Sequence, residues 1–432
     1  MRASSRWCVA VLSSIVGACG SSNDTTGGGD GGSKSGSDSG SGSDTSTSHG
    51  DSGSPPPGMD GGAGQDGSSA PDSTSADTGS KQPEASTGTD AGSATGLHVV
   101  GNQLYDGTKV VRLFGVDETG SQYACIQGDG FFDPTTGGAN SMGSITAMLS
   151  WGINAVRIPL NEDCWLSLNQ TTETMPYSGT AYQTAIQTYV TLLLTNGIYP
   201  ILDLHWTEGP GGSQATGQQP MPDAAHGAAF WTSVATMFKS QNVVFDLFNE
   251  PYPDSNMDAT SAWNCWENGG TTAAPCPGVS YPVVGMQGML TAVRSAGANN
   301  LVVLGGLEYS NDLTQWLAYE PTDPANNVAV SWHVYNNSNY TSSHSFTTDA
   351  SAVLAKVPIV ATEIGDLSGD CNGTYITTVM DFLDNPGGGV PPQSYVAWSW
   401  STDNSPKLLS SYDPVTAACD GPYYKTHVMG QE

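Results

Sequence analysis

Basic residues are scarce in this chain: its 432 residues carry 12 Lys and Arg against 41 Asp and Glu, a formal net charge of −29. A field of that sign repels phosphate backbones and anionic headgroups. Nucleic-acid binding and electrostatic docking on a membrane are therefore excluded, and a substrate should be neutral or cationic. Long apolar runs are missing too. The run from Trp7 to Ala18 is well short of the roughly 18 residues of a spanning helix. No Cys-x-x-Cys or His-x-x-x-His spacing announces a metal, and no Gly-rich phosphate-binding turn follows an early strand. Neither a metal nor a nucleotide or flavin cofactor is expected.

What is present begins with an export signal. Arg2 and Arg6 precede the short apolar run, which ends at Cys19, as in a signal peptide. Val16-Gly17-Ala18-Cys19 resembles a bacterial lipobox, whose cysteine thiol receives a diacylglycerol and becomes the mature N-terminus. Residues 1–19 are thus expected to be a lipoprotein signal peptide, with Cys19 lipidated and the protein held at the cell envelope or surface; plain secretion is the alternative. Residues 20–96 are Gly, Ser, Asp and Thr with scattered proline, too little apolar matter to offset the entropy of ordering, and are expected to be a disordered linker. Calcium loops are the competing reading of its Asp-Gly steps, but no stretch has the EF-hand offsets. After residue 96 come thirty acids and only eight bases, so the remaining domain is itself strongly acidic. A neutral polysaccharide or oligosaccharide suits that field, and contact with a membrane is expected only through the lipid.

Six cysteines remain in an exported domain, where disulfides form. Fifteen pairings are possible. Cys125–Cys164, Cys265–Cys276 and Cys371–Cys419 are favoured because each joins segments that the fold below brings together.

Residues 97–432 open with a small hairpin, its turns marked by Gly101-Asn102 and Asp106-Gly107. Eight short apolar β-rich runs follow, starting at Val110, Asn154, Gly197, Val243, Leu301, Asn327, Pro358 and Ser394. Between them, residues 144–151, 181–196, 225–240, 284–296, 348–356 and 375–383 have helical periodicity. Such alternation predicts a parallel sheet with crossover helices, an α/β fold, and a (β/α)8 TIM barrel is preferred to an open doubly wound sheet. The preference rests on Arg157, His205, Asn249, Glu250, His333, Tyr335, Glu363 and Trp398. All fall at or near the C-terminal ends of predicted strands, the face where barrels build sites.

Two of these are carboxyls. Glu250 follows the fourth run in DLFNEPY and Glu363 sits in the seventh in VATEIG, so both reach the barrel mouth. A pair of this kind suits glycoside hydrolysis, one carboxyl protonating the leaving oxygen and the other attacking the anomeric carbon. From about Leu97 to the C-terminus the chain resembles glycoside hydrolase family 5 of clan A, which includes many cellulases and mannanases. Asn249-Glu250-Pro251 matches the family's acid/base motif and Thr362-Glu363-Ile364-Gly365 its nucleophile motif. Arg157 in VRIPL, His205 in DLHW, His333 and Tyr335 in WHVY and Trp398 in AWSW fall on its other active-site positions.

The resemblance implies roles that chemistry supports. Arg157 and Tyr335 would hold Glu363 ionised and oriented, while Glu250, close to that negative charge, would have a raised pKa. Asn249 would bind the sugar 2-hydroxyl. His205, Trp206 and His333 are assigned to the substrate, the histidines as neutral donors and acceptors, with orientation of neighbours as their alternative. Trp398 would be the floor on which a pyranose stacks. Long connections at 207–224 and 252–281 are expected to shape the cleft. Trp263 and Trp266 are candidate sugar platforms, with packing against the disulfide the alternative for Trp266. Glu118, Glu162, Asp163 and Glu208 near the mouth are either ligands for sugar hydroxyls or charges pairing with backbone and loops, the structural reading being preferred for Glu162 and Asp163. The expected activity is that of a monomeric, retaining endo-β-1,4-glucanase working through a covalent glycosyl-enzyme. A β-mannanase or exo-acting β-glycosidase is the nearest alternative, and a non-catalytic glycan-binding surface lipoprotein the alternative of another class.

Overall fold

A computed structural model describes residues 96–134, 137–255, 260–336 and 346–431. The lipobox, Cys19 and nearly all of the Gly/Ser/Asp segment lie outside the described residues.

The chain enters through three short strands, β1 (Leu97–Val100), β2 (Gln103–Asp106) and β3 (Lys109–Val111), in an antiparallel sheet. Gly101 (φ 61°) and Gly107 (φ 60°) turn the chain between them in the left-handed region that glycine enters without steric cost. Eight parallel strands then close a barrel: β4 (Phe114–Asp117), β5 (Ala155–Asn161), β6 (Tyr199–Trp206), β7 (Val244–Asp246), β8 (Val302–Gly305), β9 (Val328–Tyr335), β10 (Ile359–Gly365) and β11 (Ser394–Ala397), with β10 pairing β9 and β11 pairing β4. A hairpin, β12 (Leu409–Tyr412) with β13 (Val415–Ala417), follows.

Helices occupy the connections: α1 (Ala124–Gln127), α2 (Met142–Ser150), α3 (Glu162–Leu166), α4 (Thr180–Thr195), α5 (Gly227–Phe238), α6 (Thr260–Asn268), α7 (Met286–Ser295), the single turn α8 (Leu307–Ser310), α9 (Phe346–Leu354), α10 (Thr374–Asp384) and α11 (Gly421–Met429). The long ones are amphipathic. In α4, Tyr182, Ile186, Tyr189, Val190 and Leu193 form the buried face, and in α5 Phe230, Trp231, Val234, Ala235 and Phe238 do the same.

Two apolar clusters follow from this layering. The larger fills the space between helices and barrel. The smaller lies inside the barrel, where Ala155, Ile201, Val244, Val303, Ala329, Val360 and Val396 meet Leu97, Leu104 and Leu113. The N-terminal sheet therefore plugs one end of the barrel. Asn242 and Asn327, just before β7 and β9, fasten it by side-chain bonds to the backbone of Leu97 and Val99 at 2.9 and 3.0 Å. The opposite end is left for chemistry.

Two expectations about elements are corrected. The run starting at Val110 is not one strand: Lys109–Val111 completes the N-terminal sheet and only Phe114–Asp117 joins the barrel. Arg112 marks the break, its guanidinium bonding Gln393 O at 2.8 Å and pairing with Asp384. The eighth crossover helix, which periodicity left unassigned, is α11, delayed by the β12/β13 hairpin. It is anchored where Tyr424 donates to Gly115 O. All three favoured disulfides are present: Cys125–Cys164 joins α1 to α3, Cys265–Cys276 closes an 11-residue separation after α6, and Cys371–Cys419 ties the β10–α10 turn to the start of α11.

Candidate active site

Strand register assembles the centre. β4 pairs with β5 so that Asp117 lies beside Arg157, and β6 pairs with β7 so that Asp203 lies beside Asp246. Arg157, fully buried, reaches all of them: Nε to Asp246 Oδ2 at 2.9 Å, Nη1 to Asp117 Oδ1 at 3.0 Å and Nη2 to Asp203 Oδ2 at 3.0 Å. Nη1 also meets Glu363 Oε1 at 2.6 Å, and Nη2 donates to Asn249 Oδ1 at 2.8 Å. One guanidinium thus organises four carboxyls and an amide.

Burial decides how that charge is distributed. It pushes the carboxyls of Asp117 and Asp246 well above the usual range despite Arg157, and Asp203 up to about 7. Burial would lower the basicity of Arg157, but Asp203, Asp246, Asp117 and Glu363 together hold it firmly protonated.

Glu363 is clamped on both oxygens. Arg157 takes Oε1, and Tyr335, the last residue of β9, donates to Oε2 at 2.6 Å. Burial, followed by the charge of Glu363, keeps the Tyr335 phenol protonated and hence a donor. Glu250 is held differently. Its Oε1 lies 2.9 Å from His333 Nδ1, and Gln218 Nε2 donates to its Oε2 at 2.8 Å. Its pKa is raised, first by burial; the Gln218 bond and, after it, the electrostatic influence of His205 and Arg157 work in the opposite direction. Desolvation, rather than the neighbouring carboxylate, is the leading cause. One oxygen each of Glu250 and Glu363 and a ring nitrogen of His333 lie within 4.8 Å of one another. That trio has the donor types of a metal site, yet its atoms are engaged with Arg157, Tyr335, Gln218 and each other.

Burial also lowers the two histidines, His205 to about 4 and His333 to about 3, so both are neutral at neutral pH. His205 Nδ1 sits 2.6 Å from Asp203 Oδ2, and its ring stacks on Trp398 at 5.8 Å between centroids and 11° between planes. Asn249 turns its carbonyl oxygen to Arg157, leaving its amide nitrogen to donate.

Of the residues singled out from sequence, Arg157, His205, Asn249, Glu250, His333, Tyr335, Glu363 and Trp398 come together. Trp206 does not join them. Neighbours on a strand face opposite sides, so with His205 turned inward Trp206 packs in the outer core, its ring 6.3 Å from Tyr123. Trp263 and Trp266 are fully buried and are not platforms: Trp266 Nε1 donates to Gly305 O at 2.9 Å and Trp263 stacks on Tyr319. His333, with Nδ1 on Glu250, orients a carboxyl rather than offering that nitrogen to a sugar. Asp117, Asp203, Asp246 and Gln218 were missed. For the aspartates a signal existed, an acid inside an otherwise apolar strand in FGVDE, ILDLHW and VVFDLF. Gln218, in a loop, carried none.

Comparison with known proteins agrees with this geometry. A family model described as Cellulase (glycosyl hydrolase family 5) matches residues 116–404. A manganese dependent endoglucanase, Eg5A of Phanerodontia chrysosporium, is 28% identical over 207 residues, covering 46% of this chain and 45% of its own length, so the chain spans about half of that relative. Among solved structures, a β-glucanase from Saccharophagus degradans has a TM-score of 0.57 at 19% identity over 78% of this chain and 94% of its own. An endo-β-1,4-glucanase from Xanthomonas axonopodis pv. citri has 0.51 at 17% identity, covering 74% and 99%. Likeness at those identities speaks for the barrel alone, whereas the family match spans more than half of the chain, both glutamate motifs included. The chain belongs to the cellulase family, glycosyl hydrolase family 5.

Proposed function

We propose that the chain is a retaining endo-β-1,4-glucanase with Glu363 as nucleophile and Glu250 as acid/base. The observation that carries the reading is the unequal treatment of the two glutamates. Glu363 has a cation on one oxygen and a phenol on the other, which hold and aim it. Glu250, buried and facing only neutral donors at close range, starts protonated. In the first step Glu363 attacks the anomeric carbon while Glu250 gives its proton to the departing glycosidic oxygen; in the second, Glu250 takes a proton from water as that water displaces Glu363. One oxygen of each carboxyl lies within 4.8 Å of the other, which supports the close spacing of a retaining pair over the roughly 6.5 to 9.5 Å between the carboxyl groups of an inverting one. Asn249 donates to the sugar 2-hydroxyl, and the Trp398 face, backed by His205, supports the pyranose ring.

A neutral polymer fits the acidic domain, and we place the enzyme at the cell envelope through lipid on Cys19, a reading that rests on the lipobox alone. The test is product analysis on β-glucans, mannans and xylans, with the anomer followed by NMR in the first minutes. Short β-1,4-gluco-oligosaccharides released in the β configuration support the proposal. Initial release of the α anomer refutes retention, and activity confined to mannan refutes the substrate.

A further inference from the structure

Away from the glutamate pair, a second group of acids gathers where the ends of β5 and β6 meet the start of α5. Glu162, Asp163, Glu208 and Asp223 are buried there with His226 among them, and no lysine or arginine among the described residues pairs with any of the four. Glu162 and Asp223 each have one oxygen committed to backbone. Glu162 Oε2 accepts from Glu208 N at 2.9 Å, and Asp223 Oδ1 accepts from the N–H groups of Ala225 and His226, both at 2.9 Å, at the entry to α5.

Their other oxygens, Glu162 Oε1 and Asp223 Oδ2, are buried with no N–H or O–H donor among the described residues; the two carboxyls instead face each other, and burial followed by Asp223 raises the Glu162 pKa. A buried polar atom left in this state is costly, and two carboxylates together more so. The hydroxyl of Tyr281 does not relieve them, because it donates to Met221 O at 2.7 Å. One ligand atom each from Glu162, Asp223 and His226 lie within 4.8 Å of one another. A proton shared between the two carboxyls would satisfy their oxygens while His226 stays paired with Glu208 at 3.0 Å. A cation would use all three.

We propose that Glu162, Asp223 and His226 bind one divalent transition-metal ion of the Mn2+ or Zn2+ kind. An imidazole beside two carboxylates suits such ions, whereas Ca2+ prefers six to eight oxygens. Glu208 Oε2, 3.0 Å from His226 Nδ1, orients the ring as outer carboxylates do around metal-bound histidines. The ion fastens the loop between β6 and α5 to the end of β5. That loop carries Gln218, the donor to Glu250, so the site supports the cleft without touching substrate. No short motif announces it because Glu162 and the Asp223/His226 pair come from different connections.

The experiment strips the full chain with a chelator and reconstitutes it separately with Mn2+, Zn2+, Ca2+ and Mg2+. Metal content after desalting is read by mass spectrometry and Tm by calorimetry, both independent of turnover. Expected is about one equivalent of Mn2+ or Zn2+ with a Tm raised by several degrees, both lost in Glu162→Gln and His226→Gln. His226→Gln guards against misfolding, since that side chain is 30% exposed. Stripped and reconstituted protein with the same Tm and no stoichiometric metal overturns the proposal, as does binding that survives both substitutions. A Glu162→Gln protein that is more stable than the wild type and indifferent to metal shows a shared proton instead.

Discussion

Replacing Gln218 by leucine tests the electrostatics of Glu250, the proposed acid/base, without altering either carboxyl. Gln218 Nε2 donates to Glu250 Oε2 at 2.8 Å and lies 3.2 Å from the Glu250 carbonyl oxygen. A donor on a carboxylate favours its ionised form, and this bond is the largest influence opposing the burial that raises the Glu250 pKa. A hydrogen bond to a charged group contributes about 1.5 to 3 kcal/mol, and the lower end applies because Gln218 is only half-buried. At about 1.4 kcal/mol per pKa unit, loss of the donor should raise Glu250 by roughly one unit. The assay is kcat/KM against pH on a β-1,4-glucan, where the leaving sugar needs a proton and the basic limb reports the acid. That limb should move up by about one unit in Gln218→Leu, and further in Gln218→Glu, which places a like charge at the same distance. An unmoved basic limb in both variants, with Tm unchanged, would refute the assignment of Glu250 as the proton donor or of Gln218 as its tuner.

Glu363→Ala should abolish the covalent intermediate and recover turnover with azide to give an inverted product, whereas Glu250→Ala should still react with aryl glycosides whose leaving groups need little protonation; mass spectrometry of trapped protein and NMR of the products read both. Burial holds the Glu118 carboxyl at about 8, so the folded state keeps a proton that the unfolded chain has already released, and stability falls as pH rises toward that value. The buried neutral histidines oppose this trend only below about pH 6.5, so between roughly pH 6.5 and 8 the share of Glu118 is on the order of 2 kcal/mol, added to that of the buried aspartates around Arg157; urea unfolding should show a flatter profile for Glu118→Gln, and an identical slope counts against the buried proton. Cys19→Ala should abolish acylation and membrane association in a bacterial host while leaving kcat unchanged, and equal partitioning into detergent would end the anchor reading.

The barrel was legible because its strands are buried on both sides and therefore read as apolar runs, while each crossover helix buries one stripe and reads as period 3.6. Where that logic weakens, so did the reading. The run from Val110 to Val116 looks continuous, but Arg112 fixes a turn between two sheets through contacts to Gln393 and Asp384, more than 250 residues away. The helix closing the barrel, α11, buries only Gly421, Tyr424 and Val428. Its periodicity is too thin to see, and long-range bonds of Tyr424 rather than an apolar stripe hold it. Trp263 and Trp266 show the same limit from another direction. A tryptophan in a long loop reads as an exposed platform, but α6 forms inside that loop and turns both indoles into the core.

The site was legible in its two glutamates and illegible in what surrounds them. Glu250 and Glu363 stand in short local motifs. Their protonation is set by residues from β4, β5, β6, β7, β9 and the loop after β6, contacts that exist only once the barrel closes. Arg157 brings one positive charge to four carboxyls, and burial forbids three uncompensated negative charges in its company. The aspartates respond by taking up protons: Asp203 titrates near 7, and Asp117 and Asp246 lie well above the ordinary range. Beside Arg157, Glu363 has the Tyr335 hydroxyl at 2.6 Å, and Asp203 has the neutral His205 ring at 2.6 Å. The single cation therefore sits among three aspartates whose carboxyls burial drives toward the protonated form. The acids buried in FGVDE, ILDLHW and VVFDLF thus surround the guanidinium with carboxyls pushed toward their neutral form, which supports the proposed role of Glu363 as the attacking carboxylate.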